Sequence, residues 1–268
     1  MTVHWFKFAA PRNFYFLAGR LAPWFGLAAV ALACAGLWLG FMVAPIDAQQ
    51  GEGYRIIFLH VPVSQMSMFI YVVMALWAGA GLVLNTRLSS MMAAALAPTG
   101  ALFAFLSLVT GSLWGKPMWG TWWVWDARLT SELLLFFLYL GFLALQGAID
   151  EPRRADKACA VLALVGVINV PIIYFSVQWW STLHQGASVS LTRAPSMAAL
   201  MLWGMLLMVL AAWMYAIAMA LARVRVIILE RERDADWVRE MLAGGMDGMG
   251  GVGTDSAAAT KEEANALA

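Results

Sequence analysis

The chain runs to 268 residues, of which 62% are hydrophobic and 12% charged, against about 45–50% apolar and about 25% charged in an ordinary soluble domain. With a mean hydropathy of +0.75 it carries more apolar surface than a folded core of this length hides, which argues against a soluble globular enzyme. A formal net charge of +1 argues against a nucleic-acid binder, which needs an excess of Lys and Arg to neutralise phosphates.

A helix rising about 1.5 Å per residue needs about 20 apolar residues to cross a hydrocarbon core about 30 Å thick. Six stretches meet that length, at 21–43, 58–84, 91–113, 131–149, 158–177 and 197–221. The expected fold is therefore an all-α integral membrane protein, a six-transmembrane-helix bundle. The first run is too long for the apolar core of a cleaved signal peptide, about 7–15 residues, and is expected to stay as an anchor. With both termini inside, twelve Lys and Arg flank the inner ends and four (Arg55, Lys116, Arg128 and Arg193) lie in outer loops. Cytoplasmic loops retain positive charge, so the expected placement is the bacterial inner membrane with both termini cytoplasmic. Three regions follow: a cytoplasmic N-terminal segment 1–20, a membrane domain 21–225, and a charged helix end with a tail over 226–268.

His60 stands at the outer end of the second span and begins a polar stripe, with Ser64, Ser67 and Tyr71 at i+4, i+7 and i+11. Such a stripe faces a bundle interior rather than lipid. Between the third and fourth spans comes the most distinctive segment. Trp114, Trp119, Trp122, Trp123 and Trp125, five of the chain's fourteen tryptophans, fall within twelve residues. An interfacial belt explains tryptophan at the headgroup level, but a belt dresses both membrane faces. A flat aromatic surface for a large planar ligand is the alternative. If 119–126 forms a short amphipathic helix on the interface, Trp119, Trp123 and Asp126 share one face and Trp122 and Trp125 another. Gly115, Pro117 and Gly120 punctuate this segment with turns. Asp126 is placed to cap the fourth span, and Arg128 and Glu132 are spaced i, i+4 to pair.

Asn169 and Pro171 predict a kink in the fifth span, and His184 follows it in the outer loop with Trp179 and Trp180. A short cytoplasmic helix is expected over 223–240 and disorder from 242 onward, where Gly, Ala and Met dominate. Cys34 and Cys159 are far apart and form no metal pair, and the absence of C-x-x-C-H argues against covalently attached haem.

His60, His184, the Trp loop and three arginines thus emerge on one side of the membrane. Haem has needs that match: aromatic walls for the porphyrin, two imidazoles for the iron, and cations for the propionates, with Arg55, Arg128 and Arg193 as candidates. Two-histidine ligation fills both axial positions of the iron, which points to holding haem rather than catalysis on it. A small-solute permease whose Trp loop is an interfacial cap, and a non-haem structural subunit that docks partners, remain as alternatives. No G-x-x-x-x-G-K-[ST] is present, so ATP dependence would come from another chain.

The run Trp-Gly-Thr-Trp-Trp-Val-Trp-Asp-Ala-Arg-Leu-Thr-Ser at 119–131 resembles the tryptophan-rich "WWD" signature of the haem-handling proteins of cytochrome c biogenesis. Six spans with one histidine before the motif and one after it are similar to the cytochrome c maturation protein C (CcmC) family, over about residues 20–225. The resemblance implies that His60 and His184 are axial ligands of a transient, non-covalent haem b. It places Trp114, Trp119, Trp122, Trp123, Trp125 and Asp126 in a haem-binding and partner-docking loop. It further implies haem delivery to a periplasmic chaperone, CcmE, in a complex with the single-span CcmD and the ATP-binding-cassette pair CcmA and CcmB, with no turnover chemistry of the chain's own. The long tail is not explained by the resemblance.

Overall fold

The computed structural model describes residues 5–184, 186, 189 and 194–243. Among them, six helical segments are long and apolar enough to cross a membrane: Pro11–Val43, Glu52–Leu84, Arg87–Trp119, Ala127–Ala148, Pro152–Trp179 and Ala199–Arg231. The chain is an all-α, multi-pass membrane protein, with each expected span present and most extended by a turn or more. Within these segments lie α1 (Pro11–Trp38), α2 (Ile57–Leu84), α3 (Arg87–Trp119), α4 (Ala127–Ala148), α5 (Pro152–Gly166), α6 (Asn169–Trp179) and α7 (Ala199–Arg231). The predicted kink is a full break: Val167 and Ile168 form a turn between α5 and α6. Pro171, in the first turn of α6, gives up no intrahelical donor, and the Asn169 side chain donates to the Ser131 carbonyl at 2.8 Å.

Lipid is as apolar as leucine, so helices in a membrane associate by close packing and by hydrogen bonds rather than by hydrophobic burial. Close approach is visible at Gly100, where a Cβ would lie 2.2 Å from the Tyr139 ring, and at Gly166, where it would lie 2.1 Å from the Tyr71 hydroxyl oxygen. These two tyrosines meet edge to face, 4.9 Å between centroids, in a core shared with Met66, Met74, Leu135 and Ile173. The Tyr139 hydroxyl donates to the Ser67 carbonyl at 2.7 Å. The stripe predicted on α2 faces inward throughout, since His60, Ser64, Ser67 and Tyr71 are all buried. At the periphery α1 lies on α7, with Gly36 facing Met208 and Gly26 facing Ala218.

The tryptophan segment departs from expectation, because 119–126 does not form an interfacial helix. Instead α3 continues through Trp114 as far as Trp119, and Gly120 ends it in the left-handed region (φ 77°), its N–H donating to the Lys116 carbonyl at 3.1 Å. Glycine takes that conformation without the Cβ penalty other residues meet. The Thr121 hydroxyl then donates to the Trp123 carbonyl at 2.9 Å, a local bond that competes with helix. Irregular chain runs on to Asp126, which caps α4 by accepting from the Leu129 N–H at 2.8 Å.

Contacts divide the chain into two units, Met1–Arg225 and Val226–Ala268. In the second, the single helix expected over 223–240 is interrupted: α7 ends at Arg231 and a further helical stretch covers 236–243. Six of the seven residues 230–236 are charged, so the stretch lacks an apolar stripe to pack. The Trp237 indole reaches back to donate to Glu232 at 2.9 Å. The tail expected to be disordered lies, from 244, outside the described residues.

Candidate functional site

Four of the helix ends on one side of the bundle frame the site. There α2 begins, α3 ends, α4 begins and α6 ends. Between them lies a narrow cleft that opens to the surface. Its walls include His60 and Ser64 from α2, Trp114 and Trp119 from α3, Arg128 from α4, and His184 from the segment after α6.

His60 is buried, while His184 is half-buried. Their rings stand 6.2 Å apart between centroids, inclined by 39°. The sequence separates them by more than 120 positions, and the fold brings both into the wall of the cleft. Trp114 meets His60 edge-on at 5.7 Å and lies 6.4 Å from Trp119. Its indole N–H donates to the Gln50 side chain at 3.0 Å, which fixes the ring in the wall. Gly115 lets the chain fold back here, since a Cβ would come within 3.1 Å of the Thr121 carbonyl oxygen.

The other expected site residues are placed differently. Trp122 and Trp125 project outward, 54% and 75% exposed, and neither lines the cleft. Trp123 stacks edge-on against Trp125 at 5.4 Å. Asp126 is the cap of α4. Arg55 is turned to the end of the first span, donating to the Gly40 and Ala44 carbonyls and pairing with Glu52. Arg193 lies outside the described residues. Of the two described candidate arginines, Arg128 reaches the cleft, and it does not form the expected ion pair with Glu132. Its guanidinium donates to the Ile173 carbonyl at 2.8 Å and to the Ser64 hydroxyl at 3.4 Å. Glu132, one turn deeper and 4% exposed, instead lies 2.8 Å from the Ser67 hydroxyl. Both satisfy the requirement that a polar group at membrane depth have a partner or a cavity.

Sequence reasoning missed the contribution of α3 above Trp114. Ser107, Gly111 and Trp114 all line the cleft, at i, i+4 and i+7 on one helical face. That spacing of a small residue and a hydroxyl before a tryptophan was the available signal. Thr110, beside them, lies 2.9 Å from His60 Nδ1.

Among the described residues, the cleft brings together two imidazoles, an aromatic wall, a cation and an acid, all at one end of a membrane bundle. Comparison with known proteins places it. The family model described as "Heme exporter protein C" matches residues 4–239. "Heme exporter protein C" of Escherichia coli (strain K12) is 53% identical over 187 residues, covering 70% of this chain and 76% of that protein. The protein of the same name from Bradyrhizobium diazoefficiens is 50% identical over 203 residues, 76% of this chain and 77% of its own length. The Haemophilus influenzae one is 48% identical over 202 residues, 75% and 82%. With similarity of that extent and a family match that runs across all six spans, the chain belongs to the heme exporter protein C (CcmC) family.

Proposed function

We propose that the chain holds haem in this cleft, with His60 and His184 as the two axial ligands, at the periplasmic face of the inner membrane. The observation that carries the reading is the pair of imidazoles 6.2 Å apart across a tryptophan-lined cleft. Two metal–imidazole bonds of about 2 Å each, on opposite sides of one metal, put ring centres on the order of 6 Å apart. Haem is cargo here. With both axial positions filled there is no open site for oxygen or substrate, so the chain holds and hands over haem and performs no turnover chemistry on it.

Trp114 and Trp119 supply the apolar wall and Arg128 the cation for a propionate, while the outward-facing Trp122 and Trp125 are free to meet a partner. The family name, heme exporter protein C, supports haem as the cargo, and the resemblance of the 119–131 run implies delivery to the haem chaperone CcmE in a complex with CcmD and the ATP-binding-cassette subunits CcmA and CcmB. The protein purified in detergent is expected to carry haem b with a six-coordinate, two-histidine optical spectrum. Replacing His60 and His184 together by Ala is expected to abolish that spectrum, and its survival would remove both residues from the assignment.

A further inference from the structure

One side chain outside every motif read from the sequence decides which nitrogen His60 offers. A neutral imidazole has one N–H and one lone pair, and the bond made by one nitrogen determines the role of the other. His60 Nδ1 lies 2.9 Å from Thr110 Oγ1. The Thr110 hydroxyl has a single proton, and it goes to the carbonyl of Leu106, one turn back on α3, at 2.6 Å. Toward His60 the threonine oxygen is therefore an acceptor. The proton of this contact belongs to Nδ1, which leaves the lone pair on Nε2. The neighbouring Gly111 completes the seat: a Cβ there would lie 3.1 Å from His60 Cε1, so α3 covers the Nδ1 and Cε1 edge of the ring closely.

We propose that Thr110 is a positioning residue that holds His60 in its Nδ1–H form and so presents Nε2 as the ligating nitrogen. Partners of this kind orient ligating histidines and raise their basicity, and their loss typically costs about 10–100-fold in metal affinity. The consequence for haem rests on the function proposed above, but the tautomer itself does not, and the two are tested separately.

The experiment uses the full chain in lipid nanodiscs, with ¹⁵N-labelled histidine and the His60 signals assigned by their absence from His60→Ala. Without haem, the wild type and Thr110→Ser are expected to show a protonated Nδ1 and a lone-pair Nε2. Thr110→Val, of nearly the same shape, and Thr110→Ala are expected to show a mixture of tautomers. With haem added, Thr110→Val is expected to bind about 10–100-fold more weakly and to have a raised midpoint potential, because a less basic ligand stabilises the ferric state less. Thr110→Ser restores both. The alternative acceptor on this stretch of α3 is the Ser107 carbonyl, 3.3 Å from Thr110 Oγ1. If Thr110→Val keeps a pure Nδ1–H form and an unchanged potential, that carbonyl is the determinant and the proposal is overturned. A wild type that shows the tautomer and its dependence on Thr110 but takes up no two-histidine haem would uphold the proposal while refuting the proposed cargo.

Discussion

Arg128 sits where a half-buried cation meets a cleft, and its partners show how far it is committed to the fold. The Ile173 carbonyl it bonds also accepts from the Ser176 hydroxyl at 2.8 Å, so losing the guanidinium leaves no orphaned carbonyl. Arg128→Gln is therefore expected to fold, with its loss falling on anionic cargo. A hydrogen bond to a charged group contributes about 1.5–3 kcal/mol, which is roughly tenfold to a hundredfold in affinity. Titration with haem and with its dimethyl ester separates charge from shape. The variant should bind haem no better than the wild type binds the ester, whereas an equal loss for both ligands would assign Arg128 to the fold. Gly111 gives the complementary case, in which space rather than charge matters. Gly111→Ala places a methyl against His60 Cε1 at 3.1 Å, an overpacking expected to cost about 1–3 kcal/mol and to push the ring off Thr110. Haem affinity should then fall while the melting temperature drops only a little, and unchanged affinity would show that the ring has room to yield.

Among the elements, α3 carries the most constraints, because it packs on α2 and α4 and also lines the cleft. Gly100 is its closest point. A methyl there would meet Tyr139 at 2.2 Å, and the ring cannot swing aside without losing its 2.7 Å bond to the Ser67 carbonyl. Gly100→Ala is expected to destabilise the bundle by about 3 kcal/mol, the upper end for overpacking, read as a lower melting temperature in detergent, with the wild-type value as the result that would contradict it. The spans themselves were legible in the sequence because apolar length is a property of composition, and the inward stripe from His60 to Tyr71 because its period is that of a helix. The fate of 119–126 was not legible. Tryptophans at helical spacing describe a helix only if the backbone is helical, and Gly120 in the left-handed region ended α3 before that spacing could matter. Thr110 was invisible for another reason. It is not a metal-ligating type, and its meaning comes only from the register of α3 against α2. Arg55 shows the opposite failure, a cation on the expected side whose hydrogen bonds are made to the end of the first span.

At the scale of the whole molecule, the six crossings set which side the cleft faces. Its residues come from the start of α2, the end of α3, the start of α4 and the segment after α6, so they share one end of the bundle whatever its orientation. The opposite end carries the short α2–α3 turn at Asn85 and the α4–α5 turn at 149–151. Positive charge is concentrated on that opposite end, near Arg87, Arg153, Arg154 and Lys157, and retention of Lys and Arg in the cytoplasm then puts the cleft outside. This orientation is a proposal, and delivery to a periplasmic chaperone depends on it. In a background with Cys34 and Cys159 replaced by Ser and Ala, a cysteine at the exposed Trp125 should react with a membrane-impermeant maleimide in intact spheroplasts. One at the exposed Asn85 should react only after the membrane is opened. The pattern is set by the distribution of basic residues alone, and the proposed hand-over of haem outside follows from it. Labelling of Asn85→Cys from outside, with Trp125→Cys protected, would turn the cleft to the cytoplasm and end the delivery proposal, although the pairing of His60 with His184 would stand.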